Sequence, residues 1–213
     1  MKRAVIFAGG DMDADGVWDA AERKDWLVIC ADGGFRHARR LGIQPDVIIG
    51  DCDSTDVPYP KEIPHIIHPA EKDETDTRLC LDWAIEQGCK EVLILGGLGG
   101  RLDHEFSNYS LLLYGLKQGV SVRLVNGRNE IWMADKSFTL DSGEKKYVSF
   151  FPYGGAVEGF GIRGLKYELE PITLTCDTVL TACNEFLPGR RGEVFFQKGY
   201  VLVMMCQDSF TVL

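Results

Sequence analysis

The chain is predicted to be an α/β protein, with an N-terminal doubly wound parallel-sheet domain at residues 1–134 and a C-terminal all-β sandwich domain at residues 135–213. Three observations carry that expectation. As far as residue 130, short β-branched apolar runs alternate with helix-forming stretches, the pattern of a parallel sheet with right-handed crossovers. The distinctive loops, each glycine-rich or acidic, fall on or near the carboxyl ends of those runs, where open parallel sheets bind ligands. From about Ser137 the helical period is lost, and β-branched or aromatic segments are divided by Gly, Pro, Asn or Asp.

The stretch Pro45–Ser54, PDVIIGDCDS, holds the most chemistry. Val47–Ile49 read as a buried strand, and Gly50 turns the backbone so that Asp51 and Asp53 emerge at its carboxyl end. Before it, RAVIFA at 3–8 forms a first strand that Gly9-Gly10 break. The following Asp11, Asp13, Asp15, Gly16 and Glu22 match an EF-hand calcium loop in spacing, but that motif needs an incoming helix and only a strand precedes it. A strand-to-helix loop with an acidic helix start is the better reading. WLVICA at 26–31 is a second strand running into Asp32-Gly33-Gly34, with a helix behind it closed by Gly42.

After Ser54 a proline-rich connection leads to the short strand HIIH, whose His65 and His68 read as ordinary strand-end residues. A helix then begins in AEKDETDTRL and ends at Gly88. Asp73 and Asp76 lie on one side of its start, and two acids plus Lys72 exceed what a cap needs. EVLIL at 91–95 precedes GGLGGRLDH, in which four glycines in five residues form a backbone cradle suited to phosphates. Arg101 adds a planar fork that fits phosphate oxygens. Helix 105–117 and strands 121–126 and 130–134 complete the first domain, and SFTLDS, KKYVSFF, ITLTCDTVLTACNEF, GEVFFQ and YVLVMMC supply the second.

Composition excludes several classes. A chain of 213 residues, 45% hydrophobic and 26% charged, has the make-up of a globular protein able to bury a sizeable core. A net charge of −9 with scattered basic residues argues against a nucleic-acid partner, and Arg39-Arg40 and Arg190-Arg191 read as solvated pairs. Seven cysteines, with no C-x-x-C among them, read as reduced and mostly buried thiols. No run approaches the ~18 apolar residues that cross a bilayer, and Ala4–Ala8 is too short for a signal core. The expectation is a cytoplasmic protein with no membrane partner.

Acids gathered at one sheet edge repel: two charges ~4 Å apart cost about 4 kcal/mol at an effective dielectric near 20. A cation should fill the gap, and hard oxygen donors beside a phosphate cradle favour Mg²⁺ held with a nucleotide phosphate. That combination points to phosphoryl or pyrophosphoryl transfer.

ADGG at 31–34, PDVIIGDCDS at 45–54, KDETD at 72–76 and GGLGGRLDH at 96–104, in that order and followed by a β domain, resemble the thiamine pyrophosphokinase family over nearly the whole chain. The resemblance implies Mg²⁺-dependent transfer of the β,γ-diphosphate of ATP to thiamine, giving AMP and thiamine diphosphate. It also implies a homodimer with active sites shared between the α/β domain of one subunit and the β domain of the other. Carried over by motif, Asp32, Asp51, Asp53 and Asp76 surround Mg²⁺ and the triphosphate, with Asp51, Asp53 and Asp76 as metal ligands and Asp51 or Asp76 as proton acceptor. Lys72 and Arg101 bind phosphates, with Asp73 beside them. Gly97, Gly99 and Gly100 approach the nucleotide, and Asp103 completes that loop. In TACNEF, Cys183 stands where the family often has Ser before Asn184, which weakens a hydrogen-bonding position near thiamine, and Phe186 is the stacking candidate. Two other readings remain. Asp51-Cys52-Asp53 alone matches the DxD of nucleotide-sugar glycosyltransferases, which leaves the other motifs unexplained. A non-catalytic nucleotide or thiamine sensor would keep the site without turnover.

Overall fold

The computed structural model describes residues 1–12, 24–51, 59–69, 71, 73–141, 143 and 145–208. The chain divides into two compact units, Met1–Gly127 and Arg128–Leu213.

Among the described residues, the first unit is built on six parallel strands: β1 (Lys2–Phe7), β2 (Leu27–Ala31), β3 (Val47–Gly50), β4 (His65–Ile67), β5 (Cys89–Leu95) and β6 (Ser121–Val125). Their order is β6-β5-β1-β2-β3-β4. The sequence of β1, KRAVIF, explains its central place, because Ala4 to Phe7 are all buried, as a strand covered on both faces requires. Helices α1 (Phe35–Arg40), α2 (Asp76–Glu86) and α3 (Leu102–Lys117) supply the cover. Phe35 and Ala38 of α1 join Val5, Phe7, Val28, Ile48 and Leu95 in one core cluster, against which Val125 also packs. The alternate residues of β6, Val122 and Leu124, are equally buried, and Val122 lies against Gly115 of α3, which places α3 on the other face. Asp82 pins α2 to α3: it accepts from Arg78 Nε at 2.9 Å and from the Tyr114 hydroxyl at 2.6 Å. This is the doubly wound sheet that the alternation predicts.

The chain winds outward from β1 to β4 and then returns to the other side of β1 as β5. Loops leaving β1 and β5 therefore run to opposite faces, and the gap between them is the crevice where such sheets bind ligands.

Among the described residues, the strands of the second unit pair antiparallel in two sets. One is β12-β9-β14-β7, from β7 (Asn129–Ala134), β9 (Tyr147–Pro152), β12 (Asn184–Glu185) and β14 (Val201–Cys206). The other is β11-β10-β13-β8, from β8 (Phe138–Leu140), β10 (Val157–Arg163), β11 (Leu169–Leu174) and β13 (Gly192–Phe195). Alternate residues of both sheets share one core: Val148 and Phe150 of β9, Val201 and Val203 of β14, Phe160 and Ile162 of β10, and Val194 of β13. The Phe150 and Phe160 rings meet at 5.8 Å across it, and truncating either to Ala would cost about 3–5 kcal/mol.

Three details differ from the sequence reading. The units part at Gly127/Arg128, whereas the sequence reading drew the line at 134/135, because Asn129–Ala134 pairs antiparallel with Val201–Cys206. Helix α2 begins at Asp76, where Thr75 caps it by accepting from the Arg78 amide at 3.3 Å, so Asp73 precedes the helix. Of the six described cysteines, Cys30, Cys80 and Cys89 are buried, and Cys176 and Cys183 are exposed. All six are free thiols, and burial raises Cys30 and Cys80 above the ordinary thiol range. No helix among the described residues is long and apolar enough to cross a membrane.

Candidate active site

A cleft of about 570 Å³ opens in the first unit between the loops that leave β1 and β5. Its walls are Gly9–Asp11 after β1, Ala31–Gly33 after β2, Asp51 after β3, Glu74–Thr77 at the start of α2 and the glycine loop before α3. Two backbone bonds close its floor beyond the sheet: the Ala8 amide donates to the Leu95 carbonyl at 2.8 Å, and the Gly10 amide to the Gly96 carbonyl at 2.9 Å. The glycines permit that approach. A Cβ on Gly10 would lie 2.5 Å from the Gly96 oxygen, and one on Gly96 would lie 2.5 Å from the Ala8 oxygen.

Three carboxylates meet in this cleft. Asp32, Asp51 and Asp76 each offer an oxygen, and the three oxygens lie within 4.8 Å of one another. Asp32 is 2% exposed and holds a left-handed backbone, φ +38°, unusual for a residue other than glycine. The Tyr59 hydroxyl donates to its Oδ1 at 2.6 Å, while Oδ2 is buried with no hydrogen-bond partner among the described residues. Gly50 makes room for it, since a Cβ there would sit 2.6 Å from the Asp32 Cβ. Asp76 is the first residue of α2, where the helix dipole favours an anion. A buried carboxylate oxygen without a donor, beside two more carboxylates, is a donor set suited to a hard divalent cation.

The glycine loop is tied down from α3. Asn108, buried in the helix, donates from Nδ2 to the Gly97 carbonyl at 2.9 Å. Glu105 accepts from the Gly99 amide at 2.9 Å with one oxygen and from Tyr109 at 2.7 Å with the other. Gly97, Gly99, Gly100 and Arg101 line the cleft, although the Gly99 amide is already engaged. Asp103 lies outside the lining and grips Arg101 through two bonds of 3.1 and 2.6 Å, which hold its carboxyl down at about 2. Both side chains are exposed, so water screens the pair.

Other expected residues lie elsewhere. Asp73 is exposed and outside the carboxylate cluster. Asp53 and Lys72 lie outside the described residues, as does most of the calcium-like pattern, from Asp13 to Glu22. Cys183 and Asn184 belong to the second unit. Cys183 is exposed at φ +56°, and its amide donates to Ser149 Oγ at 2.9 Å. Asn184 is buried and pins a neighbouring segment: Oδ1 accepts from the Tyr167 amide at 3.0 Å, and Nδ2 donates to the Tyr167 carbonyl at 2.7 Å. Phe186 is half-buried against the sandwich core.

The sequence reading missed Arg36, His37, Tyr59 and Asn108. Arg36 donates to the Gly9 carbonyl, and His37 Nε2 to the Gly10 carbonyl at 2.8 Å, so α1 braces the loop after β1. Burial is the main cause that lowers the His37 pKa below its ordinary value. Each of these contacts joins segments that only the folded sheet brings together. Polarity at His37 and Asn108, where α1 and α3 bury their inner faces, does not by itself say which partner either residue meets.

Comparison with known proteins gives this site its context. Residues 18–124 match the family model for the thiamin pyrophosphokinase catalytic domain, and residues 137–201 match that for the thiamin pyrophosphokinase vitamin B1 binding domain. The chain is 32% identical to thiamine pyrophosphokinase of Bacillus subtilis, across 98% of this chain and all of that one. The crystal structure of the thiamine pyrophosphokinase from Bacillus subtilis superposes with a TM-score of 0.84 at 31% identity, covering 97% of this chain and 100% of that one. The thiamin pyrophosphokinase structure from Geobacillus thermodenitrificans does so with 0.80 at 28% identity, covering all of both chains. With both family models matched and a relative above 30% identity aligned end to end, the chain belongs to the thiamine pyrophosphokinase family, diphosphotransferases that use ATP as co-substrate.

Proposed function

We propose that this chain transfers the terminal diphosphate of ATP to the hydroxyethyl oxygen of thiamine, and that the cleft at the carboxyl edge of the parallel sheet is where it does so. The observation that carries the site is the meeting of Asp32, Asp51 and Asp76 beside the glycine loop, at the point where the strand order reverses. In the reaction the thiamine oxygen bonds to the β-phosphorus. The bond from that phosphorus to the α,β-bridging oxygen breaks, that oxygen leaves with AMP, and the hydroxyl proton passes to a carboxylate, Asp51 or Asp76.

Asp51, Asp53 and Asp76 would hold Mg²⁺, and Asp32 would face the same cation from the acidic wall through its undonated Oδ2. The carboxylate donor set and the buried, undonated Asp32 Oδ2 support that fit. When bound, the cation offsets charge on the phosphate oxygens. The chain's own groups do the rest. Arg101, steadied by Asp103, and Lys72 with Asp73 beside it bind phosphates. Gly97, Gly99 and Gly100 admit the nucleotide close to the backbone. The N-terminal unit takes the catalytic role, and the C-terminal unit takes thiamine binding and dimerisation, with Cys183 and Asn184 near thiamine. The enzyme works as a cytoplasmic homodimer with shared active sites, without nucleic-acid or membrane partners.

The test is turnover by Asp51→Asn and Asp76→Asn. Removing either carboxylate should lower thiamine-dependent AMP formation by at least about 100-fold, the scale of losing one transition-state contact. Wild-type-like rates in both variants would refute the site.

A further inference from the structure

We infer that Tyr59 is the positioning residue for Asp32: its hydroxyl takes one carboxylate oxygen so that the other is held for the cation. The inference rests on the metal reading of the acidic cluster and extends it to a side chain that none of the four motifs contains.

Asp32 needs an external hold. Its backbone is left-handed, and two more carboxylates stand within 4.8 Å, so charge repulsion favours any rotation that carries its own carboxylate away. Tyr59 supplies the hold at 2.6 Å to Oδ1, a charge-assisted bond of the stronger kind. The ring that carries this hydroxyl is fixed in turn. It meets Phe35 edge-on at 5.4 Å and His65 edge-on at 5.2 Å, and it packs against the core of the first unit. Phe35 follows the Asp32-Gly33-Gly34 turn, and His65 opens β4, which pairs with β3 below Asp51. The turn that presents Asp32 and the first residue of β4 are thereby joined through one aromatic ring. Oδ2 of Asp32 remains buried and without a donor among the described residues, the state expected of an oxygen reserved for a ligand. Partners that hydrogen-bond a ligating side chain in this way set its orientation and tune affinity for the ion.

The experiment is Tyr59→Phe, which keeps the ring and its edge contacts and removes only the hydroxyl. Mn²⁺ binding to the intact protein is followed by electron paramagnetic resonance, with and without a non-hydrolysable ATP analogue, beside thermal unfolding in chelator. The expected result is Mn²⁺ binding weakened by about 10- to 100-fold with an unchanged thiamine KM and a lower kcat. On an Asp32→Asn background the same change should add less than about 2-fold, because the Asn oxygen that accepts from Tyr59 leaves only an amide NH2 toward the cation, and Tyr59 then has no ligating oxygen to position. Unaltered Mn²⁺ affinity in Tyr59→Phe, or a loss that adds in full to that of Asp32→Asn, would overturn the inference while leaving the metal site standing. A wild-type chain that binds no Mn²⁺ under either condition would overturn the metal reading and this inference together.

Discussion

Replacing Asp32 by Asn should make the metal-free protein more stable while removing its activity. The three cluster oxygens lie within 4.8 Å of one another, and at that separation each pair of charges repels by about 3.5 kcal/mol at an effective dielectric near 20. The substitution removes two of the three pairs. It keeps an acceptor for Tyr59, and Asn tolerates the left-handed backbone at least as well as Asp. Against the gain stand the weakening of a charge-assisted bond, about 1–2 kcal/mol, and screening by water at Asp51 and Asp76, which are only partly buried. The net expectation is a stabilisation of about 2 kcal/mol in chelator, or about 4–8 °C in melting temperature for a chain of this size. Saturating Mg²⁺ and ATP should erase the difference, since a ligand at 100 times its Kd stabilises only the binding-competent form by about 2.7 kcal/mol. The assay is thermal and urea unfolding of both proteins, with chelator and with Mg²⁺–ATP, beside product formation. An Asp32→Asn protein less stable than wild type in chelator would refute the reasoning, for repulsion on Asp32 would then not outweigh the weakening of its bond from Tyr59.

Two further predictions concern the loop after β1. Gly10→Ala places a Cβ 2.5 Å from the Gly96 oxygen and should part the two loops that floor the cleft, raising the KM for ATP by about 10-fold or more with a smaller effect on thiamine; steady-state kinetics decide it. His37 is held below its ordinary pKa of 6.5 mainly by burial, so the unfolded chain binds a proton there before the folded one does. Stability should therefore be full above pH 6.5 and fall as the pH drops from 6.5 toward the lowered folded value. His37→Gln should flatten that part of the curve, and an unchanged slope in urea titrations would count against the assignment.

The elements legible in the sequence were those whose signal is local. Val47–Ile49 and Glu91–Leu95 are strands because a β-branched apolar run can be buried on both faces of a parallel sheet, and a glycine after each marks the loop. Asp32, Asp51, Asp76 and the 96–100 glycines could be placed together because strand ends in such a sheet share one edge. β10 escaped because Gly159 and Gly161 break its apolar alternation. Gly161 is there because the Phe195 ring packs over it, where a Cβ would come within 2.3 Å, and that is a fact of tertiary packing. The start of α2 was read too early because Asp73 and Asp76 look alike in a helical period, whereas the Thr75 cap sets the boundary. Tyr59, Asn108 and His37 were invisible for a related reason: each satisfies a partner 27, 11 or 27 residues away that the chain reaches only after the sheet has formed.

The most direct measurement is product analysis of the purified protein with ATP, Mg²⁺ and thiamine, by chromatography that separates AMP, ADP, thiamine monophosphate and thiamine diphosphate. Diphosphate transfer in the cleft predicts AMP and thiamine diphosphate in equal amounts, strictly dependent on thiamine. ADP with thiamine monophosphate, or thiamine binding without any turnover, would contradict it.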